Sequence, residues 1–347
     1  MSMQFNKIAG SDLNVSKICL GTMTFGQQNS QDEAFQQLNF AFDKGINFID
    51  TAEMYPVPPR EETVYSTESI VGNWLKDQDR DKVILATKAV GSNRGMAYIR
   101  ENNLSFNKDN LRSALEASLK RLQTDYVDLY QLHWPERNTP MFGQYLYNPK
   151  FEKEYTAFRE TLEALNDLIN EGKIRYIGVS NEWPWGIMQF IKASDEFNLP
   201  RIISTQNAYS LLNRTFDSAL REVSYRENVP LLAYSPLAFG HLSGKYIKDS
   251  NARGRVNDFD GFAQRYEKPA VHPAVKAYSD LADELGISLT TLALSFNYSR
   301  WFSASTIIGA TSMQQLEENI ASLDFEWTDE VESRIEQIHL NFFNPAP

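Results

Sequence analysis

From Cys19 to Ala310 the chain repeats one pattern eight times, a short β-branched run followed by a longer segment with helical periodicity. Strands separated by crossover helices pair in parallel, and so regular an alternation leaves few architectures open. The runs are Cys19 to Thr22, Asn47 to Thr51, and residues 82–88, 126–131, 174–180, 201–206, 229–235 and 305–310. Eight units in about 300 residues fit one (β/α)8 TIM barrel better than two doubly wound domains. Residues 1–347 therefore read as a single barrel domain. Length alone would have allowed one large domain or two average ones.

Local cues agree with the repeat. Ser30 and Glu33 form an S-x-x-E capping box, Leu38 and Phe42 share a face, and Gly45 suits the turn that ends the helix. Leu111, Leu115, Leu119 and Leu122 make one apolar stripe; Phe158, Leu162, Leu165 and Ile169 make another, closed by Gly172. Gln4 to Ser16 reads as a hairpin plugging one end of the barrel, and an extra C-terminal helix begins near Thr328. Two strand-to-helix connections are long, residues 135–155 and about 236–271. Both follow strands, so both rise over the face on which barrels build their sites.

Composition excludes several functions. A net charge of −11 disfavours nucleic acid, which demands clustered Lys and Arg. The longest apolar stretch, VPLLAYSPLAFG, is too short to span a membrane. A single cysteine, Cys19, forms no internal disulfide, and MSMQFNKIAG lacks the apolar core of a signal peptide, so the cytoplasm is the expected compartment. No G-x-G-x-x-G is present. GTMTFGQ offers Gln27 where a P-loop needs Lys, and GHLSGKY is one residue short. Four histidines without a His-x-x-x-His pair give no metal cluster, and no G-x-S-x-G elbow marks a hydrolase.

Polar residues at strand ends stand out instead. Asp50 closes INFID, Tyr55 follows five residues on, Lys88 closes ILATK and His133 closes LYQLH. Each alone reads better as a cap, a solvated amine or a satisfied hydrogen-bonder. Together they put titratable groups on one rim of successive barrel units. A phenol of pKa near ~10 can protonate a developing alkoxide if neighbours lower that pKa. Lys88 is expected to favour the phenolate, Asp50 to keep Lys88 charged, and His133 to donate to a carbonyl oxygen.

These residues lie in motifs that resemble the aldo-keto reductase family. The resemblance runs in order from LGTMTFG through GINFIDTAEMY, LATK, SLKRLQTDYVDLYQLHWP, GKIRYIGVSN, QNAYSLLNR and AYSPLAFGHLSGKY to IIGATSMQQLEENI. It covers nearly the whole chain and is strongest toward the bacterial NADP-linked branch, with the potassium-channel β-subunit branch next. It implies a catalytic tetrad of Asp50, Tyr55, Lys88 and His133. It implies NADPH (NADP+) as cofactor, with Gly21, Thr22 and Met23 at its near side. Ser180, Asn181 and Gln206 would hold the carboxamide, and Tyr234 would lie under the ring. Ser235, Pro236, Leu237, Gly240, Leu242, Gly244 and Lys245 would cover the pyrophosphate, and Arg253 would lie near the adenosine. Gly309, Thr311, Gln315, Glu318 and Asn319 would grip the adenosine phosphate and adenine.

That last segment also reads as a plain capping box, Ser312 with Gln315, before a core stripe of Leu316, Ile320 and Leu323. It contains no Lys or Arg, so the grip on a 2′-phosphate falls to Arg253 or Lys245. The expected activity is reduction of an aldehyde or ketone in a pocket lined by Met23, Tyr55, Trp134 and the long loops. The same fold also allows an NADP-dependent alcohol or sugar dehydrogenase running in reverse, or a cofactor-sensing regulatory subunit. The expected partner is a small carbonyl compound, with no nucleic acid, membrane or metal.

Overall fold

A computed structural model describes residues 2–92, 96–259, 261 and 264–347; residues 260, 262 and 263 of the second long connection lie outside it. Strands β1 (Phe5–Lys7) and β2 (Asn14–Ser16) pair antiparallel. Eight parallel strands follow: β3 (Ile18–Gly21), β4 (Phe48–Asp50), β5 (Ile84–Ala89), β6 (Val127–Leu132), β7 (Ile174–Ser180), β8 (Ile202–Ala208), β9 (Leu231–Tyr234) and β10 (Ser303–Ile308). They close in sequence order, β10 pairing with both β3 and β9. Each coincides with one of the eight β-branched runs to within a few residues. The barrel is as the repeat predicts.

The alternating direction of side chains along a strand explains how the barrel is filled. Phe48, Ile84, Ala86, Leu129 and Leu232 point inward and pack with Ile8, Leu13 and Val15 of the hairpin, which thereby stoppers the N-terminal end. Two residues further along the same strands the inward positions turn polar: Asp50 after Phe48, Lys88 after Ala86, Gln131 after Leu129. One end of the interior is thus apolar and plugged. The other is polar. Gly21, at the C-terminal end of β3, is required by crowding, since a Cβ there would stand 2.7 Å from Ile307 Cγ2.

Outside the barrel, the helix Gln31–Asp43 starts at Ser30 with both halves of the predicted capping box made. The helix Lys108–Leu122 buries Leu111, Leu115, Leu119 and Leu122, and Phe158–Asn170 buries Leu162 and Leu165. Asp329–Asn341 is the expected extra helix, capped by Thr328. The helix Met313–Ala321 departs from its predicted cap in one respect. Ser312 accepts from the Gln315 amide as expected, but the Gln315 side chain accepts from Thr311 N at 2.9 Å, extending the turn one residue back.

The two long connections meet over the polar end. Lys268 Nζ donates to the Gly143 carbonyl at 3.3 Å, and the Arg265 guanidinium lies 5.4 Å from the Phe142 ring centre. The second connection is folded into short helical turns, Ala238–Ser243, Lys245–Lys248, Arg255–Asp258 and Gln264–Tyr266.

Candidate active site

Strand register brings the polar ends together. Asp50 pairs with Gly21 of β3 and Ala86 of β5, and Lys88 pairs with Gln131 of β6. The Lys88 ammonium has three protons and finds three oxygens: Asp50 Oδ2 at 2.6 Å, the Thr51 carbonyl at 2.8 Å and the Tyr55 hydroxyl at 3.4 Å. Its side chain is fully buried. Asp50 Oδ1 in turn accepts from Gln206 Nε2 at 2.8 Å and Gln131 Nε2 at 3.2 Å. Neither partner of the buried ion pair is left wanting a hydrogen bond, the condition under which such a pair is tolerated.

Tyr55 sits on the loop beyond β4, fixed by its amide to the Ala52 carbonyl at 3.1 Å, with 8% of its surface exposed. His133 leaves β6 with its amide on the Ala89 carbonyl at 2.9 Å. Its ring stands edge-on to Tyr55, centres 5.8 Å apart at 75°, and against Trp134 at 4.7 Å. The four groups expected from the motifs are gathered in one place.

Burial pushes the Tyr55 phenol up, and the Lys88 ammonium opposes it without prevailing, so the group lies above its ordinary value. Lys88 thus favours the phenolate, as expected, yet burial leaves the phenol no more acidic than a free one. Dehydration of a phenolate in this enclosed loop outweighs attraction to a neighbour already engaged by Asp50. For Lys88 the balance goes the other way. Burial alone would lower it, but Asp50 and then Tyr55 favour the ammonium and hold it above its usual range. Cys19, inside the barrel, has its thiol raised far up by burial and then by Asp50, which leaves it inert.

The expected cofactor residues form a connected wall beside the tetrad. Thr22 Oγ1 donates to the Asp50 carbonyl at 2.9 Å, and Met23 packs against the cluster of Ala52, Tyr55 and Trp134. Ser180 Oγ donates to the Gln206 carbonyl at 2.9 Å, Asn181 Nδ2 to the His133 carbonyl at 2.9 Å, and the Tyr234 hydroxyl to Asn181 Oδ1 at 2.5 Å. Asn181 and Ser235 adopt positive φ, 55° and 56°, which turns the chain sharply at the ends of β7 and β9. Burial raises the Tyr234 phenol to about 12, with Arg265 opposing, so the ring carries a neutral hydroxyl.

Further from the tetrad, Pro236, Leu237, Gly240, Leu242, Gly244 and Lys245 form the turn after β9, and Gly309 follows β10 with open space where a Cβ would stand. Thr311, Gln315, Glu318 and Asn319 lie at or within the helix Met313–Ala321. Asn319 Nδ2 donates to the Gly309 carbonyl at 3.2 Å, and Glu318 is taken by Ser288 at 2.7 Å. Arg253 points to solvent, 91% exposed and paired with Asp258 at 2.7 Å, while Lys245 Nζ donates to the Arg253 carbonyl at 2.9 Å.

Three residues of the site escaped the sequence reading. Gln131 was detectable, since it lies two positions before His133 on the inward face of β6. Arg255 and Arg265 carried no local signal. Arg255 packs 5.0 Å from the Phe239 ring, and its buried Nε has no hydrogen-bond partner among the described residues. Arg265 is nine-tenths buried beside Tyr234.

The chain belongs to the aldo/keto reductase family, whose model matches residues 17–340, and it is accordingly an NAD(P)-dependent oxidoreductase. Among named relatives it is 47% identical to Protein tas of Escherichia coli K12, over 99% of this chain and 100% of that one. It is 30% identical to L-glyceraldehyde 3-phosphate reductase of the same organism, over 93% of this chain and 88% of that one. It is also 30% identical to a probable voltage-gated potassium channel subunit beta of Arabidopsis thaliana, over 93% and 92% of the two chains. No described helix is long and apolar enough to cross a membrane.

Proposed function

We propose that this protein reduces an aldehyde or ketone with NADPH, and that Tyr55 protonates the carbonyl oxygen. The observation that carries the reading is the Lys88 ammonium held between Asp50 Oδ2 and the Tyr55 hydroxyl. A phenol whose oxygen accepts from a fixed ammonium gives up its own proton to a developing alkoxide with the resulting phenolate already stabilised. In this reading the His133 ring, edge-on to Tyr55, donates to the same carbonyl oxygen and sets its direction. Trp134 and Met23 exclude water from the reacting atoms.

Bound at this rim, NADPH supplies the hydride. The residues present fit it. His241 Nε2 and Arg255 Nε are buried without hydrogen-bond partners among the described residues, both on the connection assigned to the pyrophosphate, and an anion would satisfy them. Gly240 and Gly244 have φ of 94° and 76°, conformations that suit close backbone approach. Ser180, Asn181 and Gln206 would hold the carboxamide, Tyr234 would support the ring, and Gly309 to Asn319 would take the adenosine end. The reading treats residues 1–347 as one domain at work in the cytoplasm on a small-molecule substrate.

The test is NADPH oxidation against a carbonyl panel, for wild type and Tyr55→Phe. Loss of one positioned proton donor is expected to slow turnover by about 10²–10⁴-fold, while NADPH binding followed by fluorescence persists. Equal turnover in the two proteins would remove Tyr55 from the role.

A further inference from the structure

Most buried or nearly buried arginines among the described residues come with carboxylates. Arg137 is held by Glu182, Arg121 by Glu68 at 2.7 Å, Arg100 by Glu53 at 2.9 Å, and Arg214 by Asp217 at 2.8 Å. Arg265 breaks the pattern. Only 9% of it is exposed, yet no carboxylate among the described residues lies within ion-pair distance. Its guanidinium faces the rings of Phe142, Phe239 and Tyr266 at 5.4, 5.7 and 5.8 Å. Its charged neighbours include further cations, Arg255 across the shared Phe239 ring and Lys268. Lys268 is held below its ordinary range by burial and then by Arg265 itself. Cations crowded together in a chain of net charge −11 are an arrangement that folding alone does not favour, because a buried ion needs a counter-charge.

Arg265 lines a cleft together with Asn181, Tyr234, Trp183, Asn207, Phe142 and the C-terminal Pro347. Glu182 also borders the cleft but is already engaged by Arg137. One wall of this cleft is the catalytic wall, since Tyr234 donates to Asn181 and Asn181 donates to the His133 carbonyl. Arg255 shares the Phe239 ring and the neighbourhood of Tyr266 with Arg265, but it reaches further along the second connection. Its charge bears on Lys245 and Tyr246, at the turn assigned to the pyrophosphate.

We propose that the substrate carries its own oxyanion, a carboxylate or a phosphate, which Arg265 receives in this cleft while the carbonyl lies at Tyr55. The proposal rests on the reductase reading and narrows its substrate class to anionic carbonyl compounds. The aromatic walls hold the body of the molecule, and the planar guanidinium pairs with two oxygens at once. Lys268 at the rim adds attraction during entry.

The test compares 4-carboxybenzaldehyde and 4-formylphenyl phosphate with neutral 4-methylbenzaldehyde, using NADPH and wild type, Arg265→Met and Arg265→Lys. Wild type is expected to favour at least one anionic aldehyde by about tenfold or more in kcat/KM, as a charge-assisted hydrogen bond does. Whichever anion is favoured identifies the carboxylate or the phosphate. In Arg265→Met the ratio of anionic to neutral falls toward one through KM, and Arg265→Lys recovers part of it. The ratio is the readout, because lost bracing between the two loops would slow all three aldehydes alike. A uniform loss, or a wild-type ratio near one, overturns the proposal. So does an NADPH dissociation constant that rises in Arg265→Met by the same factor as KM, which would make the cofactor's diphosphate the partner. Should Arg265→Met not fold, wild type still decides, through 4-carboxybenzaldehyde against its methyl ester. Failure of wild type to oxidise NADPH with any of the aldehydes removes the reductase reading itself, a result distinct from equal use of charged and neutral ones.

Discussion

Lys88 Nζ lies 2.6 Å from Asp50 Oδ2 with both side chains buried, and the lysine gives its other two donors to the Thr51 carbonyl and the Tyr55 hydroxyl. Removing one partner of such a pair strands a buried charge. Asp50→Asn is expected to destabilise the fold by about 3–5 kcal/mol, measured by urea unfolding. It also removes the leading influence that keeps Lys88 an ammonium. An unfolding free energy equal to wild type would show that the pair does not hold this end of the barrel together.

Reduction through Tyr55 needs the protonated phenol, whose folded value lies above the ordinary 10.0 because burial outweighs Lys88. The donor is therefore present at all pH values below that point and lost above it. On its account kcat/KM for reduction stays level from neutral pH upward and declines only beyond about pH 10. Lys88→Met, which removes the opposing charge, moves whatever limb survives further up. A limb centred below pH 9 that disappears in Tyr55→Phe would contradict this ordering of burial over charge.

Arg255 and Arg253 are two residues apart and face opposite ways. A guanidinium whose Nε is buried and unsatisfied is worth more to an incoming diphosphate than one that is 91% exposed and already paired with Asp258. Arg255→Met is expected to weaken NADPH binding by about 10–100-fold, and Arg253→Met by about twofold or less. Titration of protein fluorescence with NADPH measures both. Equal losses would return the role to Arg253.

His241 is held down to about 4, mainly by burial and further by Lys245 and His272. In the cofactor-free fold it is neutral, whereas the unfolded chain binds its proton near the ordinary 6.5. Its contribution to stability is thus complete above that value and lost as pH falls toward 4. Relative to His241→Gln, wild type should lose unfolding free energy between pH 6.5 and 4, with a slope of at most about 1.4 kcal/mol per pH unit. Urea unfolding at pH 7, 6 and 5 gives the difference, and a constant difference would show that the imidazole does not titrate as described.

The barrel and the heart of its site were legible because both follow from short-range regularities. Asp50, Lys88 and Gln131 share an inward parity with the apolar residues two positions earlier, so alternation alone sends them to the same rim. Tyr55 and His133 follow from chain continuity beyond two of those strand ends. Arg265 was not legible, since nothing near it in sequence distinguishes a buried arginine from a solvated one. Only the meeting of residues 135–155 with residues 236–271 buries it.

What the amino-acid order determined unaided is which residues stand at the mouth of the barrel, because a two-residue period and a strand-to-helix repeat are properties of neighbouring residues. What only the assembled molecule decided is how those groups behave. The acidity of Tyr55, the second oxygen of Asp50 satisfied by Gln206 from 156 positions away, and the burial of Arg265 each depend on how much water distant segments exclude. Dehydration sums over everything nearby in space, and that sum does not exist until the chain has closed.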